Sequence, residues 1–352
     1  MAEPILINGR FLTQPVSGVQ RYAREILHAL DQRPDAAERY RLVAPPGADH
    51  PELTRIPVLT VGQGGGHVWE QTALAWAARK GRLLSLCGSG PVTHDRQVVV
   101  IHDAAVFRRP EHFHAGYAAF HRALGRRLAA RAKLATVSAF SRDELADVLR
   151  LRPDAIAVAP NGADHVERIA PDASIIARLG LSGRPYFVAL GNLTPNKNIG
   201  VMVRALARLS DPDLRLVLIG AHASIFGRAA EAIDPRIILA GRRSDAEAKA
   251  LLRGARALLF ASLYEGFGVP PLEAFANDCP VIASDIPAVH EVCADAALHF
   301  DPTDDAALAG HMRAVLHGSD PARRGAGRAR VAAYRWARSA EILDALAAST
   351  SR

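Results

Sequence analysis

Short runs of apolar and β-branched residues alternate with longer stretches whose apolar positions recur every three to four residues, almost from one end of the chain to the other. That alternation is the pattern of parallel strands covered by helices, so the chain reads as α/β. Ile5–Ile7 predicts a first strand, and Val19, Tyr22, Ala23, Ile26, Leu27 and Leu30 then share one helix face. Further strands are expected at Tyr40–Val43, Val58–Val61, Val98–Ile101, Ala135–Val137 and Ala155–Ala159, with helices starting near Trp69, Ala115 and Ser141. Ser141 with Glu144 three residues on reads as a capping box. Turn residues cluster from Pro160-Asn161-Gly162 to Pro185, and a second series opens at Tyr186–Leu190. It continues through Leu214–Ile219, Ile237–Ala240, Ala257–Ala261, Val281–Ala283 and Ala297–Phe300. Two doubly wound domains follow, residues 1–165 and 180–334, with a late amphipathic helix over 335–350 carrying Trp336, Ala340, Leu343 and Leu346.

A length of 352 residues fits two domains of ordinary size, and 22% charged residues without low-complexity blocks argue for a chain folded throughout. Cys87, Cys279 and Cys293 are far apart with no CxxC spacing, which excludes a disulfide framework or a zinc cage built on cysteine and fits a reducing cytosol. The N-terminus lacks the basic, apolar and small-residue regions of a signal peptide, and no stretch approaches the ~20 apolar residues of a membrane span. A cytoplasmic protein is expected.

Net charge is +7, and the excess tightens between His114 and Ala135, where Arg122, Arg126, Arg127, Arg131 and Lys133 occur with no acid among them. Spacings of four put Arg122 with Arg126, and Arg127 with Arg131, on neighbouring helical stripes beside Tyr117, Phe120, Leu124 and Leu128. Such a helix suits an anionic membrane surface or an acceptor diphosphate, or is a solvated face of an Arg-rich protein. No aromatic-interleaved basic stripe or recognition motif accompanies it, so nucleic acid is not an expected partner.

In open α/β sheets ligands sit at the carboxyl ends of strands, and the loops leaving those strands carry the candidate chemistry. In Ser262–Glu273 a strand runs into a loop with Gly266 and Gly268, then a helix with Pro271 in its first turn. Backbone amides at that helix start suit an anion, while Glu265 from the loop and Glu273 from the first helical turn suit sugar hydroxyls. Lys197, at a helix start after Gly191-Asn192, sits against the helix dipole, a placement that phosphate binding would favour. His102, after the strand Val98–Ile101, could hydrogen-bond a substrate hydroxyl or shuttle a proton, or be a satisfied structural histidine. Gly18, opening the first helix, could admit a diphosphate or be an ordinary turn glycine. Gly62–His67 lacks the last glycine of a dinucleotide loop, and Asp211-Pro212-Asp213 reads as a turn rather than a metal-binding DxD.

The runs Arg236–Gly241, Ala261–Phe275 and Cys279–Asp285 resemble the retaining GT4-type glycosyltransferases, of the kind that act as bacterial polysaccharide mannosyltransferases. Asn8–Phe11, Gly18–Tyr22, Trp69–Gln71, Val99–Asp103, Thr136–Ser138, Pro160–Gly162 and Tyr334–Trp336 extend the resemblance over nearly the whole chain. It implies the GT-B fold, two Rossmann-like domains facing across a cleft, the first acceptor-side and the second donor-binding, with the last helix packing back on the first. It implies a nucleotide-sugar donor, with GDP-mannose favoured, and a glycan or lipid-linked glycan acceptor at the cytoplasmic side of the membrane. Retention and independence of metal or other cofactor are further implications.

On the same resemblance Glu265, His102 and Lys197 are catalytic. Gly18, Gly191, Asn192, Lys197, Arg242, Glu265, Gly266, Phe267, Gly268, Val269, Leu272 and Glu273 bind the donor, with Glu273 on the ribose and Lys197 on the diphosphate. Arg122, Arg126 and Arg127 are the membrane or acceptor candidates. Asn192 departs from the family where relatives often carry Arg, and Asp278 where many have glycine. The alternative from another class is a nucleotide-sugar-binding protein without transfer activity.

Overall fold

The computed structural model describes residues 3–49, 51–220, 234–318 and 320–350. The chain divides into two compact units, the first Met1–Asn161 with Arg335–Arg352, the second Gly162–Tyr334.

Unit 1 is built on β1 (Ile5–Asn8), β2 (Tyr40–Ala44), β3 (Val58–Thr60), β4 (Arg82–Ser85), β5 (Gln97–Val100), β6 (Lys133–Thr136) and β7 (Ile156–Val158). All pair in parallel, in the order β3-β2-β1-β4-β5-β6-β7. The order reverses between β1 and β4, which opens a crevice at their carboxyl ends. Strand β4 is missing from the sequence expectation because Arg82-Leu-Leu-Ser is short and begins on a charge, leaving too few positions to show a period.

The helix Ala139–Leu149 corrects another detail. Ser138, not Ser141, is its N-cap, its hydroxyl accepting the Ser141 amide at 2.9 Å, and Glu144 pairs with Arg108 instead of closing a box. The helix Ala115–Ala129 ends before Arg131, which therefore lies off its face and pairs with Asp95. The chain's last helix, Trp336–Ala348, packs inside unit 1. Trp336 meets Tyr22 edge to face at 5.7 Å, and Asp344 accepts a two-pronged contact from Arg39 and the Tyr40 hydroxyl.

Unit 2 holds β8 (Tyr186–Leu190), β9 (Arg215–Ile219), β10 (Ile237–Gly241), β11 (Ala257–Phe260), β12 (Val281–Ser284) and β13 (Leu298–Phe300). Their order, β10-β9-β8-β11-β12-β13, is also all parallel and repeats the doubly wound plan, with its reversal between β8 and β11. Every residue of β11 and β12 is buried, as helices on both faces require. The Asp211 carboxylate accepts the Asp213 amide, closing a turn at the acidic pair. Asp278 adopts φ +55°, a left-handed conformation that glycine enters without strain, and its carboxylate pairs with Arg328.

Candidate functional site

At the reversal point of unit 2 the loop leaving β8 lies beside Gly220 at the end of β9 and beside the loop leaving β11. Gly191 (φ +134°) and Gly220 (φ +152°) touch backbone to backbone, since a Cβ on Gly220 would stand 1.9 Å from the Gly191 carbonyl oxygen. Asn196 joins the other pair of loops: its side-chain amide donates to the Tyr264 carbonyl and its own carbonyl accepts the Leu263 N–H. Lys197 ends the turn Pro195–Lys197, and left-handed Asn198 separates it from the helix Ile199–Ala207, so the lysine precedes that helix instead of opening it. Its ammonium donates to Glu265 at 2.5 Å and lies 5.1 Å from the centre of the Phe260 ring. Both partners reach solvent, at 21% and 17% side-chain exposure.

The start of the helix Val269–Phe275 offers less to an anion than the glycines before it suggest. Its second and third residues are Pro270 and Pro271, which have no N–H, and an α-helical Leu272 N–H points back to the Gly268 carbonyl. Only the Gly268 and Val269 amides remain for a ligand. Phe267 and Leu272 are core side chains, Phe267 meeting Tyr334 edge to face at 5.3 Å, so any donor contact they make is through backbone. The cations named with this loop are Lys197 and Arg242, the latter following β10, exposed and without an ion pair among the described residues. Asn192 is exposed beside Gly191.

Glu273 is the fifth residue of its helix, one turn later than the sequence reading placed it. It accepts from His165 Nε2 at 3.1 Å, and with His165, Lys249 and Asn277 lines a small hollow of about 30 Å³ separate from the one Lys197 and Gly191 line. The Lys249 ammonium donates to the Val166 and Ile169 carbonyls, pinning the turn that carries His165. His165 and Asn196 escaped the sequence reading. Their partners lie 108 and 68 residues away, a pairing no local period reveals.

At the reversal point of unit 1 stands a closed polar network. Fully buried Glu70 accepts from Asn8 (2.7 Å), Ser89 (2.9 Å) and Arg10 (3.1 Å) on one oxygen and pairs with His67 through the other. Burial alone would raise this carboxyl, but the His67 hydrogen bond, the Arg10 charge and the two neutral donors outweigh it and hold it below the ordinary range. The family resemblance had singled out Asn8–Phe11 and Trp69–Gln71 without a role, and the network supplies one.

His102, half-buried, meets Tyr22 edge to face at 4.8 Å. A carbonyl only accepts, so the 2.9 Å contact with Leu86 fixes the proton on Nε2. Burial pushes the imidazole down to about 4 against a weak opposing pull from that carbonyl, so at neutral pH the ring is uncharged and presents Nδ1 as an acceptor. This favours the hydrogen-bonding role over a proton shuttle. Gly18 begins the helix Gly18–Asp31 with open space where a Cβ would be. Arg126 and Arg127 are exposed and Arg122 is half-buried, on a helix that also exposes Tyr117 and Phe120. No described helix is long and apolar enough to cross a membrane.

Residues 173–331 match the family described as Glycosyl transferases group 1. Among curated proteins the chain is 29% identical to the O-antigen chain mannosyltransferase RfbU of Salmonella typhimurium over 214 residues, 59% of this chain and 58% of that one. It is 31% identical to an alpha-maltose-1-phosphate synthase of Mycolicibacterium smegmatis over 240 residues, 60% and 62% of the two chains. The chain thus spans about three fifths of the length of the curated relatives it matches. Solved structures align along nearly all of both chains. A sucrose-phosphate synthase from Thermosynechococcus elongatus gives TM-score 0.72 at 19% identity, covering 97% of each. Anabaena HepE in complex with UDP-glucose gives 0.70 at 17%, covering 99% of each. The two doubly wound units are therefore those of the GT-B fold.

Proposed function

We infer, from the group 1 glycosyl transferase domain that residues 173–331 form, that this chain transfers a sugar from a nucleoside diphosphate to an acceptor hydroxyl. The observation that carries the reading is the Lys197–Glu265 pair at the unit 2 reversal point, a cation and a carboxylate side by side, both reaching solvent. Lys197 and Arg242 neutralise the charge that grows on the β-phosphate, Glu265 accepts from donor sugar hydroxyls, and Glu273, oriented by His165, accepts from the ribose. Gly18 and His102 enter as the family resemblance assigns them, the glycine toward phosphate and the neutral histidine as acceptor of a hydrogen bond.

In a retaining reaction without a covalent enzyme intermediate, the acceptor oxygen bonds to the anomeric carbon on the face the phosphate leaves. The phosphate oxygen keeps the electron pair of the broken bond and takes the acceptor's proton. Lys197 and the two free amides supply the charge stabilisation in this scheme, with no metal in the step. Relatives named as O-antigen chain mannosyltransferases support mannose as the transferred sugar and an O-antigen-type polysaccharide acceptor, with GDP-mannose the donor the family resemblance implies, while HepE's complex makes UDP-glucose the competing donor. Exposed Arg126 and Arg127 beside Tyr117 and Phe120 support contact with an anionic membrane that presents the acceptor.

The test is a thermal-unfolding screen of sugar nucleotides, since only a ligand that prefers the folded state raises the midpoint. GDP-mannose is expected to stabilise most, and the Glu265→Ala variant to keep stabilisation by GDP while transfer falls roughly 100- to 1000-fold, the loss seen when one transition-state contact is removed. Unchanged turnover in that variant rejects the assignment.

A further inference from the structure

Away from the donor loops, unit 2 brings together two histidines and an aspartate that the transfer reaction does not use. Asp285 leaves β12, His290 lies on the helix Pro287–Cys293, and His299 is the middle residue of β13. One ligating atom from each falls within 4.8 Å of the other two. The backbone around them is fixed, because the Asp285 N–H donates to the Phe300 carbonyl across the neighbouring strands.

His299 provides the decisive detail. Its Nε2 stands 2.8 Å from the Ala294 carbonyl, which can only accept, so the proton of the neutral ring is on Nε2 and Nδ1 holds a lone pair. That Nδ1 is buried and has no hydrogen-bond partner among the described residues. A buried acceptor left without a donor is destabilising by about 1–3 kcal/mol unless something occupies it. The His290 ring lies 4.7 Å from the His299 ring, and His290 Nδ1 meets Asp285 Oδ1 at 3.0 Å. That spacing is close to the ~3.3 Å edge of a tetrahedron with bonds of ~2.0–2.1 Å. Both of these side chains are 58% exposed, so they can rotate the remaining distance and an ion can enter from solvent.

We propose that Asp285, His290 and His299 form a site for a divalent transition-metal ion of the zinc class, bound by two imidazoles and one carboxylate. Two nitrogen donors and a single oxygen select zinc over magnesium or calcium, and three protein ligands leave the fourth position to water. The ion ties the exit of β12, the following helix and β13 together. The same helix carries Val289, whose methyl lies 3.7 Å from where a Cβ on Gly268 would be, so the cross-link also backs the start of the donor-loop helix.

The test titrates zinc chloride into the metal-stripped full chain by calorimetry and follows thermal unfolding in parallel. One zinc per chain and a raised unfolding midpoint are expected. Asp285→Ala and His290→Ala, both at exposed positions that leave the fold intact, should each weaken zinc binding tenfold or more, and His299→Leu should do the same. Magnesium chloride should not bind. In unit 1 the rings of His67 and His121 lie 5.6 Å apart, and a His67→Ala, His121→Ala double variant should bind zinc as the parent does. The proposal is overturned if the parent takes up no zinc, if His290→Ala binds it as tightly as the parent, or if the unit 1 double variant is the one that loses it.

Discussion

Each unit gathers polar side chains at the carboxyl ends of the two strands where its sheet order reverses, yet the two sets behave differently. In unit 1 Glu70 is fully buried and surrounded by Asn8, Arg10, Ser89 and His67, leaving it no capacity for a ligand. In unit 2 Lys197 and Glu265 have one another and reach solvent. A buried charge is held only by a complete set of partners, so the first arrangement fixes a loop. A part-exposed pair gains little by its contact and can exchange its partner for a substrate. Location at a reversal point nominates a site; the remaining hydrogen-bonding capacity decides whether it binds.

The largest expected effect breaks the unit 1 side of this contrast. Glu70→Leu leaves the Arg10 guanidinium buried without its counter-charge, and denaturant unfolding should lose about 3–5 kcal/mol. A loss under about 1 kcal/mol would mean that the network is dispensable. On the unit 2 side, Lys197→Met should lower affinity for a nucleoside diphosphate about tenfold while stability stays within about 1 kcal/mol, the range of ion pairs that reach solvent. A stability loss as large as that of Glu70→Leu would erase the distinction. Between these lies Gly220→Ala, which puts a methyl against the Gly191 carbonyl at a left-handed φ. It should destabilise unit 2 by about 1–3 kcal/mol and weaken nucleotide binding by displacing the β8 loop.

How much of this was legible in the chain follows the same line between local and distant information. Continuous apolar runs such as Tyr186–Leu190 and Val281–Ala283 announce strands buried on both faces, and those elements lie where the pattern puts them. Short, charge-led Arg82–Ser85 does not. Glu265, Lys197 and Glu273 are visible as types in the loops after strands and the helix that follows, whereas the partners that divide them, His165 for Glu273 and Lys197 for Glu265, depend on contacts 108 and 68 residues apart. The missing amides at Pro270 and Pro271 were written in the sequence throughout, since proline has no N–H to offer.

A pH-dependent effect sharpens the unit 1 side. His102 titrates at about 4 in the folded chain against an ordinary value of 6.5, because burial disfavours the imidazolium. The unfolded chain therefore binds the proton first, so stability is full above about pH 6.5, falls as pH drops toward 4, and gains no further slope from this residue below that. His102→Phe should flatten the unit 1 stability profile between those values. The slope is reduced and not abolished, since burial also lowers His94 and His121. Glu70 acts in the opposite half of the range: its carboxyl is held below the ordinary value, so its contribution disappears only on acidification below about 4.5. A His102→Phe profile that keeps its slope from pH 6.5 to 4 would show that this imidazole is not held neutral by its surroundings, and would reopen the proton-shuttle role for it.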